Sequence, residues 1–336
     1  MIDRVPAIRS EIIAIDPSAA SLQAVRNHGY QIVADETIEG LGTRYVTLRT
    51  PAGKSLKRAL AELRRIAQHA QFAPNHLHVR SGVATGSHLP AASLAVSSVV
   101  NSPAIGIIDG GVGKTATLTN LAQQGFARGA PAPDPHATAV ASLAGAVRPV
   151  RSGAPGAPLL IADIYGNDPR GGNSLALAKA LGWMATRNVP VVLISLVGPP
   201  NSIVASAIKQ VRARGMHVVA PVGNAGPAAP PMFPAAYPGV IAVTGVDGKN
   251  RALIEAGRGS HIDYAAPGAD IFAASLDGKL VKVRGTSFAA PLVAGRLWLA
   301  GKSGDPISVL DRQAVDIGRK GDDKIFGRGL ICGECR

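Results

Sequence analysis

The chain has 336 residues, 46% hydrophobic but only 4% aromatic, with 39 glycines and 25 prolines. That profile suits one large globular domain plus a smaller one, with a core of Ala, Val, Leu and Ile, and no run of about 20 apolar residues offers a helical membrane span. The net charge of +13 comes from scattered Lys and Arg without interleaved aromatics, so it reads as a solvated basic surface and not as a nucleic-acid site.

Taken in order, residues 8–15 alternate and are rich in isoleucine, which predicts a strand. Pro17 opens a helix to about residue 28, with Gly29 as its stop. Strands follow at 30–34 and 44–48, joined through Gly40 and Gly42. Ser55 caps an amphipathic helix to about residue 67, with Leu56, Ala59, Leu60, Leu63 and Ile66 on one face. A last strand spans 75–80. The order βαββαβ predicts a small α+β, ferredoxin-like domain over 1–80. Residues 81–102 are turn-rich and low in charge, and read as a linker.

From Ala104 onward, apolar strands alternate with helices. Strands are expected at 105–108, 159–164, 190–196, 217–221 and 240–246, and helices at 136–146, 174–186 and 203–214. Strands apolar on both faces imply an α/β fold, a parallel sheet sandwiched by helices, over 103–331. Sites in such sheets form at the carboxyl ends of the strands. A helix from about Thr286 to Ala300 is apolar on most sides and belongs in the domain centre. Thr286 is its expected cap, and Pro291 is tolerable near its start. Residues 332–336, with Cys332 and Cys335 in a C-x-x-C, read as a tail. No secretory h-region is visible, so the chain is cytoplasmic or an export signal lies outside it.

Several chemistry-bearing side chains fall at element ends. Asp109 follows the strand 105–108, and His136 opens a helix of small residues. Ser287 sits in the first turn of the buried helix, where the dipole favours developing negative charge. Asn224 follows a strand, between Gly223 and Ala225. Alone, each has a structural reading: a turn cap, a helix-start histidine, a left-handed turn, a helix cap. Together they are what acyl transfer needs: a nucleophile, a base, a carboxylate behind the base, and an oxyanion donor.

In this order the segments resemble those of the subtilisin-like serine proteases. Ile107-Ile108-Asp109-Gly110-Gly111-Val112 looks like the family's Asp segment, and His136-Ala137-Thr138-Ala139-Val140-Ala141 its His segment. Ser195-Leu196-Val197-Gly198-Pro199 is similar to the strand lining the substrate cleft, and Gly223-Asn224-Ala225-Gly226 to the oxyanion segment. Gly285-Thr286-Ser287-Phe288-Ala289-Ala290-Pro291 is the most specific match, that of the Ser segment. The resemblance implies a serine endopeptidase acting on polypeptides. Asp109, His136 and Ser287 would form the triad, Asn224 the oxyanion donor, and Ser195, Leu196, Val197, Gly198 and Gly223 the substrate cleft. It also implies that 1–80 is a propeptide, acting as intramolecular chaperone and inhibitor with its tail in the cleft. Cleavage would fall in 81–102, and the protein would be exported.

The family often has Gly and a second His where Ala137 and Ala139 stand. No acidic loop for calcium lies between Asp109 and His136, and no metal or cofactor is expected. Two other readings compete. Asp109-Gly110-Gly111-Val112-Gly113-Lys114-Thr115 looks like a phosphate loop, although Ile108 replaces the first glycine of that motif. A catalytically inactive, peptide-binding relative is the second.

Overall fold

A computed structural model describes residues 5–80 and 103–336. The proposed linker and cleavage region at 81–102 therefore lies outside the described residues.

The N-terminal unit runs β1 (Ala7–Ile15), α1 (Ala19–Asn27), β2 (Gln31–Ile38), β3 (Thr43–Arg49), α2 (Leu56–Ile66) and β4 (Gln71–His76). Its sheet has the order β2-β3-β1-β4, as the ferredoxin-like reading predicts. The period-2 alternation of β1 gives this sheet two apolar faces. Ile12 and Ala14 join Leu22, Val25, Leu60 and Leu63 beneath α1 and α2. Ile13 and Ile15 join the core of the larger unit. Ser18, not Pro17, caps α1, and Ser55 caps α2 as expected. The expected strand at 75–80 is two pieces. β4 ends at His76, and β5 (Val79–Arg80) leaves its own sheet for another partner.

The larger unit continues with β6 (Ile105–Asp109), β7 (Leu121–Gly125), α3 (Pro135–Gly145), β8 (Leu159–Asp163), α4 (Ser174–Thr186), β9 (Val191–Ile194), β10 (Leu196–Val197) and α5 (Ser202–Ala213). It then runs through β11 (His217–Pro221), β12 (Ile241–Val246), β13 (Tyr264–Pro267), β14 (Ile271–Ala274), β15 (Leu280–Val283), α6 (Thr286–Ala300) and α7 (Pro306–Gln313). Seven strands form a parallel sheet in the order β13-β12-β11-β9-β6-β8-β7. Strand alternation divides the interior between two cores. Ile105, Ile107, Leu159, Ile161 and Leu193 face α3 and α6. Ile108, Leu160, Ala162, Val192 and Ile194 face α4 and α5. This is the helix-sandwiched α/β sheet expected from the pattern.

The two units share a tight seam. A Cβ on Gly182 of α4 would lie 2.4 Å from Ile38 Cγ2, and one on Gly40 would lie 2.2 Å from the Gly182 carbonyl oxygen. The orphan N–H of Leu175, at the start of α4, donates to Asn75 Oδ1 at 3.1 Å, and Asn201, the cap of α5, donates to the Pro74 carbonyl at 2.9 Å. The start of α4 and the cap residue of α5 thus both find partners in β4.

Two expectations fail here. Gly285, with φ 142°, is the N-cap of α6, and Thr286 is the first residue inside the helix. The cysteines are no loose tail: Cys332 and Cys335 form a disulfide, and both are buried against the core that contains α6.

Candidate active site

The carboxyl edge of the sheet collects the predicted residues. Asp109 is the last residue of β6 and is fully buried. Its Oδ1 accepts the Gly110 N–H at 2.7 Å, and its Oδ2 lies 2.8 Å from His136 Nδ1. His136 is the second residue of α3, whose N-cap is Asp134 with Pro135 at the first helical position. Asp134 Oδ1 accepts from Ala137 N at 2.9 Å, which anchors the turn that carries the imidazole. On the other side of the ring, His136 Nε2 lies 3.0 Å from Ser287 Oγ. The Phe288 ring packs against the imidazole at 5.3 Å between centroids.

Ser287 is the second residue of α6, so it stands at the helix's positive end. Pro291 lies one turn on and lacks the N–H that would bond the Ser287 carbonyl. Asn224 comes to the same place from the loop after β11. Its Oδ1 accepts the Thr286 N–H at 3.1 Å, which fixes the roll of the amide beside Ser287. Gly223 precedes it at φ 92°, where a Cβ would meet Met232 Sδ at 2.7 Å.

The residues expected to line the cleft, Gly223 apart, fall on β10 and its flanks. β10 pairs antiparallel with β5, with Leu196 opposite Arg80 and Val197 opposite Val79. Ser195 is buried, and its N–H donates to the Ile108 carbonyl at 3.2 Å. Gly198 differs: its N–H donates to Phe233 O at 2.8 Å and its carbonyl accepts from Phe233 N at 3.2 Å, so this residue extends a different pairing. The phosphate-loop alternative also fails on geometry. Gly110 N donates to Asp109 Oδ1, Val112 N to Gln123 Oε1 and Gly113 N to Thr138 Oγ1, so three of the loop's N–H groups that would cradle a phosphate are already used.

Sequence reasoning missed four participants. Arg80 Nη2 lies 2.9 Å from Asp134 Oδ2, and its Nε lies 3.7 Å from Asp109 Oδ1. The guanidinium stacks over the Tyr165 ring at 4.0 Å. Asp163, at the end of β8, accepts from Tyr165 N, Gly166 N and Ala132 N and ties those loops together. Its burial raises its carboxyl pKa against the pull of those three donors. Only Asp134 carried a local signal, as an N-cap residue before Pro and His.

A sequence profile of the subtilase family matches residues 102–305, well over half of the chain. The chain belongs to the subtilase family. Subtilase chemistry is that of serine-type hydrolases, and among the relatives the chain is 30% identical over 168 residues to the minor extracellular protease Epr of Bacillus subtilis, covering 48% of this chain but only 26% of Epr. It is 28% identical over 241 residues to subtilisin BL of Lederbergia lenta, covering 68% of this chain and 88% of that protein. Fervidolysin of Fervidobacterium pennivorans, described as a keratinolytic enzyme related to subtilisin, superposes with a TM-score of 0.79 at 18% identity. That superposition covers all of this chain and 61% of fervidolysin, and it is a likeness of fold. Among the described residues of this subtilase, no helix is long and apolar enough to cross a membrane.

Proposed function

We propose that the chain is a serine endopeptidase in which Ser287 is the nucleophile, His136 the general base and Asp109 the carboxylate behind it. The observation that carries this reading is the continuous relay: 3.0 Å from Ser287 Oγ to His136 Nε2, then 2.8 Å from His136 Nδ1 to Asp109 Oδ2. In the proposed reaction Ser287 Oγ attacks a peptide carbonyl, and His136 Nε2 takes its proton. Asp109 accepts from Nδ1–H and stabilises the imidazolium. The imidazolium then gives its proton to the leaving amine. The oxyanion would be held by the Asn224 side-chain N–H and the start of α6. The direct test is labelling by a fluorophosphonate: a live enzyme is modified at Ser287, and a peptide-binding relative without activity is not. Asn224→Ala is expected to lower kcat by about 10²–10³-fold with KM little changed, a scale taken from subtilisin itself. An unchanged kcat would remove Asn224 from the oxyanion site.

We further propose that 1–80 is a propeptide, 81–102 carries the processing site, and 103–331 is the peptidase. The pairing of β5 with β10 supports a tail lying where substrate would lie. An exported location is consistent with the Cys332–Cys335 disulfide, since such bonds persist in oxidising compartments. The tail also predicts a pH response. Burial pushes His78 from an ordinary 6.5 down to about 4, against the Gly172 carbonyl's opposing pull, with His76 lowering it further. Docking therefore favours the neutral ring. Its contribution is complete above pH 6.5 and disappears as pH falls towards 4, about 3 kcal/mol in all. Protease sensitivity of the 77–80 segment should rise across that window, and His78→Leu should flatten the rise.

A further inference from the structure

We infer that the cleft selects polypeptides with arginine at the residue that pairs with Leu196. This rests on the endopeptidase reading and names its substrate class. The chain's own Arg80 stands opposite Leu196 in the antiparallel register, and its side chain shows what that place accepts.

Three features hold the guanidinium. Asp134 Oδ2 takes Nη2 at 2.9 Å, Asp109 lies 3.7 Å from Nε, and the guanidinium carbon lies over the Tyr165 ring, 4.0 Å from its centroid. A planar, delocalised cation meets both demands, charge at its edge and stacking on its face. Lysine's compact ammonium meets only the first. Burial works against the charge, but the Asp134 and Asp109 carboxylates outweigh it and hold the pKa up.

The larger unit builds this hollow, independently of the arginine that fills it. Asp134 is fixed as the N-cap of α3 through Ala137 N. Tyr165 is fixed through its N–H to Asp163, and its hydroxyl donates to the His78 carbonyl at 3.2 Å, so it reads the backbone of the bound strand as well. Gly110 leaves the space open: a Cβ there would lie 2.7 Å from Asp134 Cβ and 3.3 Å from Arg80 Nη2. The bound segment is also held from its far side, where His78 N donates to the Gly172 carbonyl at 2.8 Å. An acidic hollow in a chain of net charge +13 is a local device and not a reflection of overall composition.

The experiment incubates the full chain with short peptides that carry Arg, Lys, Ala or Glu at each position in turn, and identifies products by mass spectrometry. One position upstream of the cut bond should demand arginine, with kcat/KM about 100-fold above alanine there, the scale of a desolvated charge pair. In Asp134→Asn, which keeps a side-chain N-cap, the arginine-to-alanine ratio should fall below about tenfold. In Tyr165→Leu the arginine-to-lysine ratio should fall towards one. Cleavage without an arginine position, or an unchanged ratio in Asp134→Asn, overturns this inference and leaves the hydrolase reading standing. Absence of any cleavage, together with no fluorophosphonate label on Ser287, removes the hydrolase reading and this one with it.

Discussion

Ser287→Ala is expected to fold, keep its own tail in the cleft and turn over no peptide. The hydroxyl is fully buried, so the alanine removes one polar atom and leaves His136 Nε2 without its 3.0 Å partner. That is a modest loss, of about 1 kcal/mol, because no charge is stranded. The features that hold the tail lie elsewhere, on Leu196–Val197 and around Asp134, so its docking should change little. The chemistry should change greatly. A drop on the order of 10⁶-fold in kcat is expected, the loss that subtilisin itself suffers when its nucleophile is removed. Steady-state cleavage of an arginine peptide measures it, with docking of the variant's tail followed by protease sensitivity of the 77–80 segment. A rate within about a thousandfold of the unsubstituted protein would reject Ser287 as nucleophile. The same pair of proteins tests the propeptide. The active chain should shorten on incubation, with a new N-terminus from within 81–102, and the Ser287→Ala chain should stay whole. Full-length persistence in an otherwise active sample would show the N-terminal unit to be permanent.

The sheet was legible because its residues obey local rules, and the relay because its segments resemble those of a known family. Continuous apolar runs such as Ile105–Ile108 read as strands covered on both faces, and such strands put the residue at their end, here Asp109, at the working edge. What was not legible depended on distant partners. Thr286 looked like a cap, but its N–H is taken by Asn224 Oδ1, 62 positions away, and Gly285 opens the helix instead. β7 was missed because Leu121-Ala122-Gln123-Gln124-Gly125 lies at the sheet edge and is only partly buried, so it carries no apolar signature. The segment after β4 reads as one strand, yet Leu77 bridges to Asn173 and β5 to β10, because the chain changes neighbours between His76 and Val79. The C-terminal cysteines gave no local sign that they would pack beneath α6, where Arg296 donates to Cys332 Sγ at 3.2 Å. Arg80 reads as an ordinary strand end, and only folding brings it to Asp134 and Asp109.

Asp109→Asn should lower kcat by about 10⁴-fold while the fold survives, since the change is isosteric. The reason lies in which oxygen is already committed. The Gly110 backbone N–H points at Asp109 Oδ1 from 2.7 Å and can only donate, so the asparagine must turn its carbonyl oxygen there. Its NH₂ group then faces His136 Nδ1 across the former 2.8 Å contact. A donor at that place makes Nδ1 an acceptor and drives the ring proton to Nε2. Nε2 would then donate to Ser287 Oγ across 3.0 Å, when the proposed mechanism needs it to accept. The imidazole is in the wrong tautomer, and no carboxylate remains to stabilise its cation. Fluorophosphonate labelling should slow along with turnover, because both need Ser287 activated. The substrate dependence separates this residue from Asp134. Asp109→Asn should lower kcat for arginine and alanine peptides alike, since every substrate needs the base, and should trim arginine's advantage only by the loss of the longer 3.7 Å contact to Nε. Asp134→Asn should act mainly on kcat/KM for the arginine peptide, since only that side chain reaches its carboxylate. An Asp109→Asn protein within about tenfold of full activity would mean that His136 does not depend on Asp109 for its tautomer, and the relay would lose its third member.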